Sequence, residues 1–239
     1  MHQASEQQDR EATRLADEWD ARVTSWTSVC AQPSFLRFRE AVVAEVAPCA
    51  QDRVLDIGAG TGLLALALAP RAARVTGLDI APAMVAELQA NAAAAGLGGV
   101  EGVVGDARSL PFPDAAFDVV VSCYALHHVD HDGKRACLGE IRRVLAPGGR
   151  VVLVDMMFRL SLAPEDRAIL SAKCRQMARK GPAGVLRVLK NGLRAATGRW
   201  EHPAPPQWWI TEARAAGFVD VQADRLEQEA GMLRARRPG

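Results

Sequence analysis

Acids set against glycines are the first residues to invite a chemical reading. In VLDIGAGTGLLALALA, residues 54–69, an apolar run ends at Asp56, and Gly58, Gly60 and Gly62 follow at every second position. Glycines so placed let the backbone turn tightly and approach a ligand closely. The helix that opens after them presents an N-terminus able to receive a carboxylate or a phosphate. A second acid, Asp79, ends the next apolar run, RVTGLDI, 21 residues after Gly58, and Asp106 ends a third, VEGVVGD. Two adjacent histidines, His127 and His128, follow the run FDVVVSCYAL, and Asp155 stands inside RVVLVDMM.

Two nucleotide-type ligands compete for the glycine turn. A dinucleotide site needs G-x-G-x-x-G, but its third position is Leu63 here and the third glycine comes one residue early. Asp56, two residues before the first glycine, would repel a pyrophosphate and would suit an ammonium group. S-adenosylmethionine carries an ammonium, a sulfonium and one carboxylate that the helix end can take. Asp79 can accept both ribose hydroxyls of such a ligand, although a dinucleotide site would use an acid there too. Asp106 is placed to accept from an adenine amino group.

The elements that must position these residues alternate. Short β-branched runs (RVLDI, RVTGLDI, VEGVVGD, FDVVVSCYAL, RVVLVDMM) read as strands, separated by helical stretches such as LLALALAPRA, APAMVAELQANAAAAG and KRACLGEIRRVL, the last closed by APGG. Such alternation predicts an α/β fold with a mostly parallel sheet and helices on both faces. After a further helix, PPQWWITEARAAGF, the runs VDVQADRL and EAGMLRARR are joined by a very short link, which permits only an antiparallel hairpin. Residues 1–50 read as helices, with Trp19, Val23 and Trp26 and then Phe35, Phe38 and Val42 at helical spacing. Four regions follow: a helical segment 1–50, a ligand-binding core 51–157, a helical cap 158–205, and a C-terminal helix and hairpin 206–239 that complete the sheet.

Composition narrows the function. At 239 residues, with 49% hydrophobic residues and a formal charge of +1, the chain fits one α/β domain with a decoration and shows no overall pull toward nucleic acid or membrane. No 18-residue apolar run exists, and the start is polar where a signal peptide would be basic and then apolar. Five cysteines (30, 49, 123, 137, 174), an odd count without CxxC, fit reduced thiols in the cytoplasm and no structural zinc or other metal site. Between Phe158 and Pro203 ten Lys/Arg face three acids, a local net of +7.

VLDIGAGTG, GLDIAPAMV, GDARSLPFPDAAFDVVVSCYALHHV and EIRRVLAPGGRVVLVD resemble, in order and spacing, the class I S-adenosylmethionine-dependent methyltransferases. Within them the chain is similar to the small-molecule branch that includes the ubiquinone/menaquinone biosynthesis methyltransferases. The resemblance spans residues 52–155 and implies a Rossmann-like seven-stranded sheet whose last strand is antiparallel. It further implies a methionine-moiety turn at Asp56, Gly58, Ala59, Gly60 and Gly62, and a ribose on Asp79 with Ile80 and Met84 lining the adenine. Asp106 and Ala107 would read the adenine edge, with Cys123 and His128 flanking the sulfonium. The product would be S-adenosylhomocysteine.

Methyl transfer is an in-line displacement in which positioning and exclusion of water do most of the work. For a hydroxyl acceptor a base helps remove the proton. His127, His128 and Asp155, all after or at strand ends, are the candidates, a histidine being suited to base work near neutrality. One of the two histidines is expected to be structural or to border the cofactor. His131 and His202 read as loop residues without chemistry. In the cap, Val185, Val188, Leu189, Leu193 and Ala196 form an apolar stripe, with Arg187, Lys190, Asn191 and Arg194 elsewhere around the helix. That basic face is expected to be solvated; the alternative is contact with an acidic acceptor or an anionic lipid, and nucleic acid is the weakest reading because no aromatic platform accompanies it. One of Trp208 and Trp209 is expected in the core. Trp19 and Trp26 are placed to close over the cofactor or acceptor. The expected activity is methylation of a small organic acceptor at oxygen, with carbon or nitrogen of a small molecule or lipid-quinone precursor as the alternative. A non-catalytic binding module and a nicotinamide oxidoreductase are the competing classes. The sequence leaves the oligomeric state open, a homodimer included.

Overall fold

A computed structural model of the chain describes residues 2–159, a scatter of positions between 167 and 186, and 201–239 except Gln228. The stripe and the basic face read into the cap helix lie outside the described residues.

Three helices, α1 (His2–Asp20), α2 (Val23–Cys30) and α3 (Pro33–Val46), precede a seven-stranded sheet. The strands are β1 (Arg53–Ile57), β2 (Arg74–Asp79), β3 (Val100–Val104), β4 (Phe117–Cys123), β5 (Leu145–Met156), β6 (Val219–Arg225) and β7 (Ala230–Arg236). Their order is β3-β2-β1-β4-β5-β7-β6. Strands β1 to β5 pair in parallel, and β7 runs antiparallel to both β5 and β6. Helices α4 (Ala65–Leu68), α5 (Pro82–Ala94), α6 (His131–Val144) and α7 (Pro206–Ala215) make the crossovers.

Parallel strands covered on both faces must be apolar on both. Val54, Val119, Val121, Val152 and Val154 pack with Phe38 and Val42 of α3 on one face. Leu55, Val120 and Leu153, one residue out of phase, pack with Ile141 of α6 and Trp209 of α7 on the other. The chain order reverses between β1 and β4, so the carboxyl ends of these neighbours frame a crevice where such sheets bind ligands.

Several elements differ from the sequence reading. The helix after the glycine turn is a single turn, α4, followed by a 3-10 turn at Ala69–Arg71; Pro70, which has no amide proton to donate, sits in that last turn. APGG does not precede β5 but lies within it: Leu145 already pairs with Phe117, and the register shifts between Phe117 and Val119 to absorb the extra residues. His131 opens α6 instead of lying in a loop, with Asp130 capping the helix through Gly133 N–H (2.7 Å). Trp209 is the core tryptophan; Trp208 lies against His131 and under the Arg135 guanidinium.

Helix α5 lacks a side-chain cap of its own. Asp20, the last residue of α1, supplies one from a distance, accepting from Ala83 N–H at 2.8 Å. A carboxylate there also complements the helix dipole. The N-terminal helices are thereby fixed over the sheet end where the site lies.

Candidate active site

The glycine turn is tied to the end of β2. Gly58 and Ala59 N–H both donate to the Leu78 carbonyl, at 2.8 and 3.0 Å. Gly60 N–H donates to Asp79 Oδ2 at 2.8 Å, and Ala81 N–H to Asp79 Oδ1 at 3.0 Å. Burial pushes the Asp79 carboxyl up, and these backbone donors act against that. Each oxygen keeps a lone pair for a further donor.

Gly58 and Gly60 both have positive φ, +66° and +53°. A Cβ on Gly58 would stand 2.2 Å from the Ala125 Cβ, where the ends of β1 and β4 meet. A Cβ on Gly60 would stand 2.6 Å from the Trp26 indole nitrogen. The α2 tryptophan thus lies directly over the turn, as its place in the sequence suggested. Trp19 meets Trp26 edge-on at 5.2 Å and His128 at 5.0 Å between ring centroids.

A cleft opens here, between the strand ends and the tryptophans of α1 and α2. Of the residues singled out in the sequence, Gly58, Gly60, Asp79, Ile80, Met84, Asp106, Ala107 and His128 line it. Asp56, Ala59, Gly62, Cys123, His127 and Asp155 are not among its lining residues.

The reasons are geometric. Ile57 faces the cleft, so its neighbour Asp56 faces the other way. Asp56 is 1% exposed and accepts from Ala65 N–H (3.1 Å), the first residue of α4, behind the turn and not beside a ligand in the cleft. Ala59 and Cys123 pack in the core on the α3 side, and burial pushes the Cys123 thiol up. A Cβ on Gly62 would meet Leu66 and Leu88 and not the cleft. The carboxylate of Asp106 is engaged by a neighbour. Arg108 Nη2 meets Asp106 Oδ2 at 2.7 Å, and its Nη1 reaches Glu11 of α1 at 3.1 Å.

Arg108 and Tyr124 line the cleft and escaped the sequence reading. Arg108 had a local signal, since Asp106 accepts its backbone N–H two residues on (2.8 Å), a turn that acids favour. Tyr124 had none: it holds φ +57° straight after β4, and its ring stacks on Phe38 at 5.3 Å.

Behind the cleft the histidines divide. His127 is buried, its Nδ1 2.5 Å from Asp155 Oδ1 and its backbone N–H 3.0 Å from Asp155 Oδ2. Asp155 is fully buried, which raises a carboxyl, yet the adjoining His127, Met156 N–H and Lys134 hold it below the usual range. An ionised Asp155 only accepts hydrogen bonds, so His127 Nδ1 carries the proton and Nε2 keeps its lone pair. The His127 and His128 rings lie 4.0 Å apart between centroids.

An open crevice at the strand reversal, a glycine turn bonded to an acid closing β2 and an antiparallel β7 define the Rossmann-like methyltransferase class of α/β folds. A family model described as a methyltransferase domain matches residues 54–149. A demethylmenaquinone methyltransferase of Clavibacter sepedonicus is 32% identical over 202 residues, covering 79% of this chain and 74% of the relative. One of Thermus thermophilus is 45% identical over 122 residues, 50% of this chain and 54% of that protein, so the chain spans about half the length of this relative. The crystal structure of YcgJ from Bacillus subtilis shares the fold with a TM-score of 0.62 at 21% identity, covering 84% of this chain and 98% of that one. The chain belongs to the class I S-adenosylmethionine-dependent methyltransferases, in a small-molecule branch similar to the ubiquinone/menaquinone biosynthesis enzymes.

The residues present fit the cofactor. The cleft floor is a glycine cradle that a side chain at Gly60 would fill, and Asp79 offers acceptors for ribose hydroxyls. Asp79→Ala is expected to weaken S-adenosylhomocysteine binding by about 1.5–3 kcal/mol, the scale of hydrogen bonds to a charged group. Calorimetry on the variant checks this, with Asp79→Asn as the milder control because it keeps one acceptor oxygen. A negligible loss in both would place the ribose elsewhere.

Asp56 gives the apoprotein an unusual pH dependence. Burial, with Asp79 adding to it, pushes its carboxyl up to about 8. A group raised in the folded state contributes stability that is full below its unfolded value, near 4, and is lost as pH climbs through about 8. Asp56→Asn, which stays neutral, is expected to remove that part of the decline. The check is the difference in Tm between pH 5 and pH 9 for wild type and variant; equal differences would show that Asp56 titrates normally.

Proposed function

We propose that the protein transfers a methyl group from S-adenosylmethionine to a small organic acceptor bearing an ionisable hydroxyl, with oxygen as the receiving atom. The observation that carries this reading is the His127–Asp155 pair standing behind His128 at the end of the cleft. Bound in the cleft, S-adenosylmethionine supplies an electrophilic methyl group on a sulfonium. Gly58, Gly60, Asp79, Ile80 and Met84 would hold its methionine and nucleoside parts. Trp19 and Trp26 exclude water from the cleft, which favours a displacement whose charge disperses in the transition state. For His127 Nε2 to take the acceptor proton, the acceptor must reach past His128, since His127 is buried outside the cleft lining; Asp155 then holds the ring and stabilises the imidazolium that forms. His128 is the wall of the cofactor site.

A second reading keeps the proton removal but delivers the methyl to a ring carbon conjugated with the hydroxyl. Kinship with demethylmenaquinone methyltransferases favours a quinone-type acceptor for it. Incubation with S-adenosylmethionine labelled in the methyl group and a panel of phenols and hydroquinones tests both. An acid-stable label on ring carbon selects the second reading, and a methyl ether the first.

Among the described residues no helix is long and apolar enough to cross a membrane. The five cysteines are free thiols, which supports a cytoplasmic setting.

A further inference from the structure

Helix α6 carries a cation where its pattern asks for an aliphatic side chain. Lys134, Cys137, Leu138, Ile141 and Val144 form its buried stripe, and Lys134 is 0% exposed. Lys134 also sits one turn from the N-terminus of α6, the end of a helix dipole that disfavours a cation. A buried ammonium there is costly unless strong acceptors take up its protons.

Those acceptors tie separate segments together. Nζ donates to the Val129 carbonyl at 2.5 Å and to the His202 carbonyl at 2.6 Å. Val129 closes the turn Leu126–His128. His202 lies where the chain returns from the insert, and its own backbone N–H donates to the His127 carbonyl at 2.7 Å. Residue 202 is therefore bonded on both sides, to the His127 backbone and to Lys134. Two residues on, Ala204 N–H reaches the Met156 carbonyl at 3.3 Å, next to Asp155.

We propose that Lys134 is a positioning residue for methyl transfer, its ammonium group fastening the end of the insert at His202 onto the turn that carries His127. Its part in catalysis rests on the base role of His127 proposed above; the fastening does not. Burial brings the Lys134 ammonium down to about 8, while Asp155 from β5, Cys137 from α6 and Asp130 before α6 act the other way. The charged form therefore prevails at neutral pH. In turn Lys134 favours the ionised Asp155 and the neutral forms of His131 and His202. The segment that ends the insert and the candidate base thus share one buried charge.

The test compares the full-length wild type with Lys134→Met, which keeps length and loses charge, and Lys134→Arg, which keeps charge. The probe is S-adenosylhomocysteine. In the wild type, hydrogen exchange at the His202 amide is expected to be as slow as in α6. In the Met variant, exchange in the peptides spanning 124–129 and 201–204 is expected to rise about tenfold or more, while the strands of the sheet are unchanged. The Asp155 carboxyl, followed by carbon-13 NMR, is expected to titrate higher in the Met variant and near wild type in the Arg variant. Affinity for the probe should fall in the Met variant and stay near wild type in the Arg variant, since Val129, which takes a Lys134 proton, lines the cleft with His128. An unprotected His202 amide in the wild type overturns the role, as does a folded Met variant with wild-type exchange at 201–204 and a wild-type Asp155 titration. If the Met variant does not fold, the wild-type protection and the Asp155 titration in the Arg variant decide. Failure of the wild type to bind the probe would sink the methyltransferase reading and leave the fastening standing.

Discussion

Gly60→Val is expected to abolish detectable binding of S-adenosylhomocysteine. Two effects add. Gly60 sits at φ +53°, a left-handed conformation that costs an ordinary residue about 1–2 kcal/mol and a β-branched one more. Its new Cβ would also come within 2.6 Å of the Trp26 indole nitrogen, so the tryptophan or the turn must move. Moving the turn disturbs the Gly60–Asp79 bond, and with it the acid expected to hold the ribose. Together the losses should exceed about 100-fold in affinity, at 1.4 kcal/mol per tenfold. Calorimetry of Gly60→Val beside Gly60→Val/Trp26→Ala separates the two effects. Recovery in the double variant would trace the loss to Trp26 alone. Unchanged affinity in the single variant would remove the turn from the ligand site.

His127→Ala is expected to lower turnover by roughly 10²–10⁴, the range for a general base, with cofactor affinity near wild type. The proposed base role gives this effect to His127, whose Nδ1 lies 2.5 Å from Asp155 Oδ1. His128→Ala should instead weaken cofactor binding, since His128 lines the cleft beside Trp19. Asp155→Asn should act in the same direction as His127→Ala, and the double variant should be no worse than the poorer single one, because the pair works as a unit. Turnover and S-adenosylhomocysteine affinity measured side by side check this. Wild-type turnover in His127→Ala would point to an acceptor that arrives already deprotonated, and the base role would be withdrawn.

The sequence was most legible where local chemistry and periodicity agree. Gly58, Gly60 and Asp79 could be placed in one site because a strand end, a turn and a second strand end leave little freedom. The antiparallel β7 followed from the shortness of its link to β6. What stayed hidden depends on which way a side chain points or on contacts distant in sequence. Asp56 reads as a ligand residue beside its glycines, yet strand alternation turns it to cap α4. Asp106 carries the expected acid, but the further reach of its partner Arg108 to Glu11 could be seen only once α1 was placed. Asp20 capping α5 spans 63 residues of chain. Lys134 opens the helical run KRACLGEIRRVL, and its burial depends on acceptors, Val129 and His202, that only the fold brings around it.

The central claim is that this cleft serves methyl transfer and not only cofactor binding. Acceptor-dependent formation of S-adenosylhomocysteine from S-adenosylmethionine, measured for the wild type across phenol and hydroquinone acceptors with Gly60→Val and His127→Ala as controls, tests it most directly. The expected result is product formed in step with methylated acceptor by the wild type, none by Gly60→Val, and a rate roughly 10²–10⁴ lower with His127→Ala. Firm binding of S-adenosylhomocysteine by the wild type, with no acceptor-dependent product from any of these compounds, would contradict it and leave a binding module in place of an enzyme.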